Sequence, residues 1–176
     1  MHHYTKEELK SVMKITGITE GDILFGHSNI GFFGRIKGGE NADKTCKLIL
    51  EAIFEVIGDE GTLILPTYTY SFSKNEIFDP NISKGIGGYF AEYIRKLPES
   101  VRSHDPSVSV TAIGSKSREI TQDLPLDSYG SDGIFGRLLK YNVKTFNLNI
   151  DSATTFVHYA EKLCGVNYRF TKKFIG

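Results

Sequence analysis

Three stretches decide the fold: Asp22-Ile23-Leu24-Phe25-Gly26, the amphipathic run at 41–57, and Thr62-Leu63-Ile64-Leu65 halted at Pro66. Short apolar runs bounded by turn residues read as buried strands, and apolar residues recurring every three to four positions until Gly58 read as a helix. Upstream, Thr5-Lys6-Glu7-Glu8 has the form of a capping box, and Leu9, Val12 and Met13 follow at helical spacing until Gly17. Downstream, a long connection runs through Tyr68, Tyr70, Phe72 and Asp79-Pro80 to about Gly85. Beyond it the pattern predicts helices over 87–96, 115–122, 134–141 and 154–164 and strands over 107–113 and 144–150. Strands alternating with helices mean one α/β domain over residues 1–176, with a largely parallel sheet. Four strands are few for such a sheet, and the tail at 172–176 carries no stop signal, so a C-terminal portion is expected to be missing.

Composition narrows the function. Lys+Arg 21 balances Asp+Glu 21, so no surplus of cations marks a nucleic-acid or anionic-lipid surface. No apolar run approaches the roughly 20 residues a membrane span needs, and the N-terminus lacks a signal-peptide core, which predicts a cytoplasmic protein. Cys46 and Cys164 each fall on an apolar helical stripe and are expected in the core.

Three segments could carry chemistry. Residues 26–39 join a strand to a helix and hold five glycines, a composition that lets a ligand approach bare backbone N–H groups. The run contains neither a P-loop nor a dinucleotide fingerprint. Arg102, followed by Ser103, His104, Ser107 and Ser109, offers a planar fork that grips phosphate or carboxylate. On the last helix, Phe156, Val157, Ala160, Leu163 and Cys164 form the apolar side at 100° per residue, and His158 projects opposite with Thr154, Thr155, Glu161 and Lys162. That face either meets bulk water or lines a cleft at the carboxyl end of the sheet, where an imidazole can act as general base. His27, His104 and His158 share no ligand spacing, so no metal is expected. No Gly-x-Ser-x-Gly elbow occurs, and neither cysteine is placed as a nucleophile.

Taken in order, the motifs resemble those of the aminoglycoside N3-acetyltransferases and their sugar-pathway relatives. The resemblance rests on His27-Ser28 with the glycine-rich loop, Gly58-Asp59-Glu60-Gly61-Thr62 through Pro66-Thr67, and Arg102-Ser103 through Pro106 to Ser109-Val110. It continues with Ala112-Ile113-Gly114, Leu126-Asp127 to Gly130, Phe135-Gly136-Arg137-Leu138, and Thr155-Phe156-Val157-His158-Tyr159-Ala160-Glu161. It implies a three-layer α/β/α sandwich that binds acetyl-CoA and moves its acetyl group to an amine of an aminoglycoside or other amino sugar. It further implies His158 as general base and Thr155 as the hydroxyl that helps hold the thioester oxygen. His27, Ser28, Arg102, Ser103, Ser107 and Ser109 are the coenzyme contacts by the same resemblance, with no metal. Family members continue past this chain's end. A noncatalytic binding module of this descent and a hydrolase that passes the acyl group to water are the rivals, and a homo-oligomer is compatible with all three.

Overall fold

The structure is a computed structural model that describes residues 2–151 and 154–174; the expected run-out of the tail at 175–176 lies outside them. Helix α1 (Lys6–Ile15) begins as the capping box requires: Thr5 Oγ1 accepts from the Glu8 N–H at 3.2 Å, and the Thr5 N–H donates to Glu8 Oε2 at 2.8 Å. Strand β1 (Ile23–Ser28) follows, then α2 (Ala42–Ile57), capped by Asn41, whose Oδ1 accepts from the Lys44 N–H at 2.9 Å. Next come β2 (Thr62–Pro66), α3 (Gly88–Arg95), β3 (Val101–Arg102) and β4 (Val110–Gly114). The chain continues through α4 (Ser117–Thr121), α5 (Ile134–Lys140), β5 (Lys144–Leu148) and α6 (Val157–Leu163).

The sheet order is β3-β4-β2-β1-β5. β1 pairs parallel with β2 and β5, whereas β4 pairs antiparallel with β2 and β3, so β4 alone runs against the rest. The largely parallel sheet thus holds. β3 escapes the sequence pattern because a two-residue strand has no period to display.

Alternation along the central strands builds the layers. Leu24, Leu63 and Leu65 join α1, α2 and α3 in one apolar cluster, while Phe25 and Ile64 join residues of α4, α5 and α6 in the other. β1 and β2 are buried on both faces, as covered parallel strands are. Gly26 sits where a Cβ would overlap the Phe146 carbonyl, so only glycine lets β5 pair with β1 there. Cys46 is fully buried as expected, and burial pushes its thiol up to about 12. Cys164, expected in the core, is instead exposed.

The connection between β2 and α3 is fastened from below by Arg102. Its Nε donates to Ser109 Oγ at 3.3 Å, Nη1 to the Pro80 and Ser83 carbonyls at 3.1 and 2.5 Å, and Nη2 to the Thr67 carbonyl at 2.6 Å. Phe78 lies under the guanidinium, 5.1 Å from it. Arg95 extends the clasp, bonding Glu92 through Nε at 2.8 Å and the Asn81 carbonyl through Nη1 at 2.7 Å, while the Gly85 N–H donates to Glu92 Oε1 at 2.8 Å. A lysine ammonium is a point charge that cannot span these diverging acceptors. Arg102→Lys is therefore expected to cost about 2–4 kcal/mol, from buried carbonyls left without donors; urea denaturation of the two chains measures it, and an unchanged midpoint would show that the clasp is not structural.

Candidate active site

β1, β2 and β5 all end at one edge of the sheet, and β1 lies between strands reached by separate connections. The β1–β5 boundary is thus the topological switch point, where open α/β sheets hold ligands. His27 and Ser28 end β1, and Tyr68 follows β2. The His27 ring stacks edge-on to Phe25 at 5.5 Å; burial pulls its pKa down, opposed in part by a hydrogen bond with Asn147. His27 Nδ1, Ser28 Oγ and the Tyr68 hydroxyl are buried side-chain atoms with no hydrogen-bond partner of ordinary geometry. Burial pushes the Tyr68 phenol strongly upward, and the Thr155 hydroxyl beside it opposes that shift.

Helix α6 brings the histidine to this edge by an aromatic anchor. Tyr159 is buried and lies 5.9 Å from Phe156, which meets Phe135 edge-on at 6.2 Å. Phe135 stacks on Tyr129 at 4.8 Å, and the Tyr129 ring stands edge-on to His158 at 6.1 Å. The aliphatic stripe expected to bury this helix does not do so: Val157, Ala160, Leu163 and Cys164 are exposed. A short helix buries more apolar surface per contact through the Phe156–Tyr159 pair than through small aliphatics, and the aromatics set its rotation. His158 accordingly does not project opposite to the packing face; it neighbours it, with its side chain 38% exposed.

His158 Nδ1 lies 2.9 Å from Glu161 Oε2, a contact between residues one turn apart. Arg169 Nε donates to the same Oε2 at 2.7 Å, Arg169 Nη2 lies 2.8 Å from His158 Nδ1, and the Tyr168 hydroxyl donates to Glu161 Oε1 at 3.3 Å. Hydrogen bonds from His158 and Arg169 hold the Glu161 carboxyl below its ordinary range. Tyr129 and Arg169 had no place in the sequence expectation, which gave Glu161 only as a neighbour of His158 on its polar face and Tyr68 only as part of an aromatic connection. The His158-x-x-Glu161 spacing was the one available signal for the carboxylate, and nothing local marks the others.

The expected coenzyme contacts divide into two groups. His27 and Ser28 stand at the switch point with unmet polar atoms. Arg102, Ser103 and Ser109 are buried, and their side chains bond the protein: Ser103 Oγ accepts from the Val110 N–H at 2.9 Å, and Ser109 Oγ donates to the Thr67 carbonyl at 2.7 Å. Ser107 is half-buried in a turn held by Asp105, whose Oδ1 accepts from the Ser107 and Val108 N–H groups at 2.8 and 2.9 Å. His104 is exposed, and among the described residues no three His, Cys, Asp or Glu side chains are grouped to share a metal ion. A hollow of about 540 Å³ between α4 and α5, lined by Arg118, Asp132 and Arg137 among others, shares no residue with this site. Among the described residues, no helix is long and apolar enough to cross a membrane.

Comparison with known proteins gives this edge a lineage. Residues 25–174 match the family described as Aminoglycoside 3-N-acetyltransferase. Aminoglycoside N(3)-acetyltransferase IX of Micromonospora chalcea is 25% identical over 192 residues, covering 97% of this chain and 65% of the relative. Aminoglycoside N(3)-acetyltransferase VII of Streptomyces paromomycinus is 26% identical over 180 residues, covering 90% and 60%. Among solved structures, the apoenzyme of aminoglycoside acetyltransferase AAC(3)-IVa superposes with a TM-score of 0.81 at 26% identity, over 96% of this chain and 64% of that one. A binary structure of AAC-IIIb with CoASH gives a TM-score of 0.78 at 25% identity, over 92% and 66%. The chain therefore spans 60–65% of the length of these two curated relatives. With the match running from β1 through α6, this chain belongs to the aminoglycoside 3-N-acetyltransferase family.

Proposed function

We propose that this chain transfers an acetyl group from acetyl-CoA to an amine of an aminoglycoside or other amino sugar, with His158 as general base. The observation that carries the reading is the His158–Glu161 pair, 2.9 Å apart, on the helix that approaches the sheet's switch point. The names of the relatives, and the CoASH bound in the AAC-IIIb structure, support the substrate classes. The reading carries with it a cytoplasmic setting.

The chemistry follows from what an amine needs. A protonated amine has no lone pair, so a base must first remove a proton; His158 Nε2 is the ring nitrogen for that task in the tautomer whose Nδ1–H points at Glu161. The Glu161 carboxylate, kept ionised by its bonds to His158 and Arg169, orients the ring and offsets the positive charge the ring acquires. Bound acetyl-CoA supplies an activated acyl carbon. As the amine attacks, the acyl oxygen gains charge, and the Thr155 hydroxyl, with the Tyr68 hydroxyl beside it, would donate to it. The residues fit a coenzyme at this edge because His27 Nδ1, Ser28 Oγ and Tyr68 Oη are buried with no hydrogen bond of ordinary geometry, an arrangement that costs stability unless a ligand completes it. Coenzyme contact through Arg102, Ser103 and Ser109 would use backbone atoms or require their side-chain bonds to exchange, so His27 and Ser28 carry more of the assignment.

Two variants test the reading. His158→Ala should leave calorimetric binding of acetyl-CoA nearly unchanged while thiol release with a panel of amino sugars falls by about 10²–10⁴-fold. Thiol release that ignores the added amine would instead mark an acyl hydrolase, and unchanged turnover would remove His158 from its role. Tyr68→Phe deletes a buried hydroxyl with no hydrogen bond of ordinary geometry, so the melting temperature should hold or rise slightly, while turnover drops by at least about tenfold for the lost donor. A fall in stability with turnover intact would assign that hydroxyl to the fold.

A further inference from the structure

The segment after α6 folds back on the helix. Gly165, with φ +60°, reverses the chain, and the Val166 N–H donates to the Glu161 carbonyl at 3.3 Å. This return places Arg169 over the His158–Glu161 pair, with Nε 2.7 Å from Glu161 Oε2 and Nη2 2.8 Å from His158 Nδ1. Glu161 Oε2 is itself 2.9 Å from that same Nδ1. One ring nitrogen therefore faces a group that can only accept and a group that can only donate.

The two contacts demand different proton positions. A carboxylate meets Nδ1 when Nδ1 carries the hydrogen, which leaves the Nε2 lone pair free. A guanidinium meets Nδ1 through its lone pair, which in a neutral ring puts the hydrogen on Nε2. We propose that Arg169 sets the tautomer of His158: with its guanidinium on Nδ1 the ring carries its proton on Nε2, and the base-competent form arises when the guanidinium moves wholly onto Glu161. Arg169 is thus a positioning residue that acts through the imidazole, and its side chain, 48% exposed, has room to exchange between the two partners. The consequence for turnover rests on the general-base reading of His158, but the proton's location does not.

The charged and titratable groups that face the ring are Glu161 on its own helix, Arg169 and Tyr168 on the returning segment, and Tyr129 from the connection before α5. Tyr168 bonds Glu161 Oε1 and leaves Oε2 to the contest. Burial pushes the Tyr129 phenol upward, so it remains a neutral aromatic edge.

Nitrogen-15 NMR of the chain labelled in its histidine rings reads the tautomer directly, with a His158→Gln chain assigning the signal. The spectra are taken well above the pH at which the rings lose their charge. The expected result is an unprotonated Nδ1 in the parent chain and a protonated Nδ1 in Arg169→Met, which keeps an apolar stem and removes every donor. The ratio of the two tautomers should invert between these chains. The same ratio in both, whichever form prevails, overturns the proposal. An inverted ratio in chains that acetylate no amine supports it and counts against the general-base reading alone.

Discussion

A ladder of aromatic rings fixes the imidazole on which the proposed chemistry depends. It starts at Phe25 on β1, buried between layers, and passes edge-on to Phe135 at 6.4 Å. From there it runs by stacking to Tyr129 and edge-on to His158. Each such pair contributes about 0.5–1.5 kcal/mol beyond the area it buries. The other tie between α6 and the connection before α5 is the Lys162–Asp127 pair at 2.5 Å, with side chains 42% and 60% exposed. A solvated pair of that kind is worth about 0–1 kcal/mol and weakens with salt. The aromatic path therefore determines where the histidine stands, and the ion pair trims the approach.

Polar groups at the carboxyl edge of the sheet fall into two energetic classes. Around Arg102 the donors meet carbonyls of the long connection, and the guanidinium's burial, which pulls its pKa down to about 10, is compensated by those bonds and by Phe78. At His27, Ser28 and Tyr68 the buried atoms have no hydrogen-bond partner of ordinary geometry, and an unmet buried polar group costs about 1–3 kcal/mol. The first class holds the wall of the site in place. The second is what a wall looks like when its partner is a ligand. Residue type alone cannot separate the classes, since both contain hydroxyls and one strong donor within a few positions of a strand end.

That difference explains what the sequence made legible. The βαβ core and the capping box were readable, because each is a local pattern whose physics lies within a few residues. The reversed strand β4 was not, because its direction follows from pairing antiparallel with β2 and with the two-residue β3, and neither pairing leaves a local mark in the sequence. Helix α6 was found but given the wrong face. A hydrophobic wheel counts aliphatics and aromatics alike, whereas the fold used Phe156 and Tyr159 and left Leu163 and Cys164 outside. His158 was legible as a candidate by its place on a helix after the last strand; its carboxylate partner was legible only by spacing. Arg169 was beyond reach, because a chain reversal at Gly165 brings it back.

The site is thus governed at two levels of stiffness. Below the ring, packed aromatics in the core hold it by contacts that break only if a layer separates, and interiors of this density respond in discrete steps. Above the ring, Glu161 and Arg169 hold it by charged contacts at the solvent boundary, where water can replace either partner. Position is the property that a base must not lose, and it is assigned to the stiff level. Proton location is the property that the proposed transfer would change, and it falls to the soft one. A histidine buried on both sides would hold its geometry but resist taking a charge, and one solvated on both sides would take the charge but lose its aim. The half-covered placement of His158, between the edge-on ring of Tyr129 and a solvated guanidinium, satisfies both demands with one short helix.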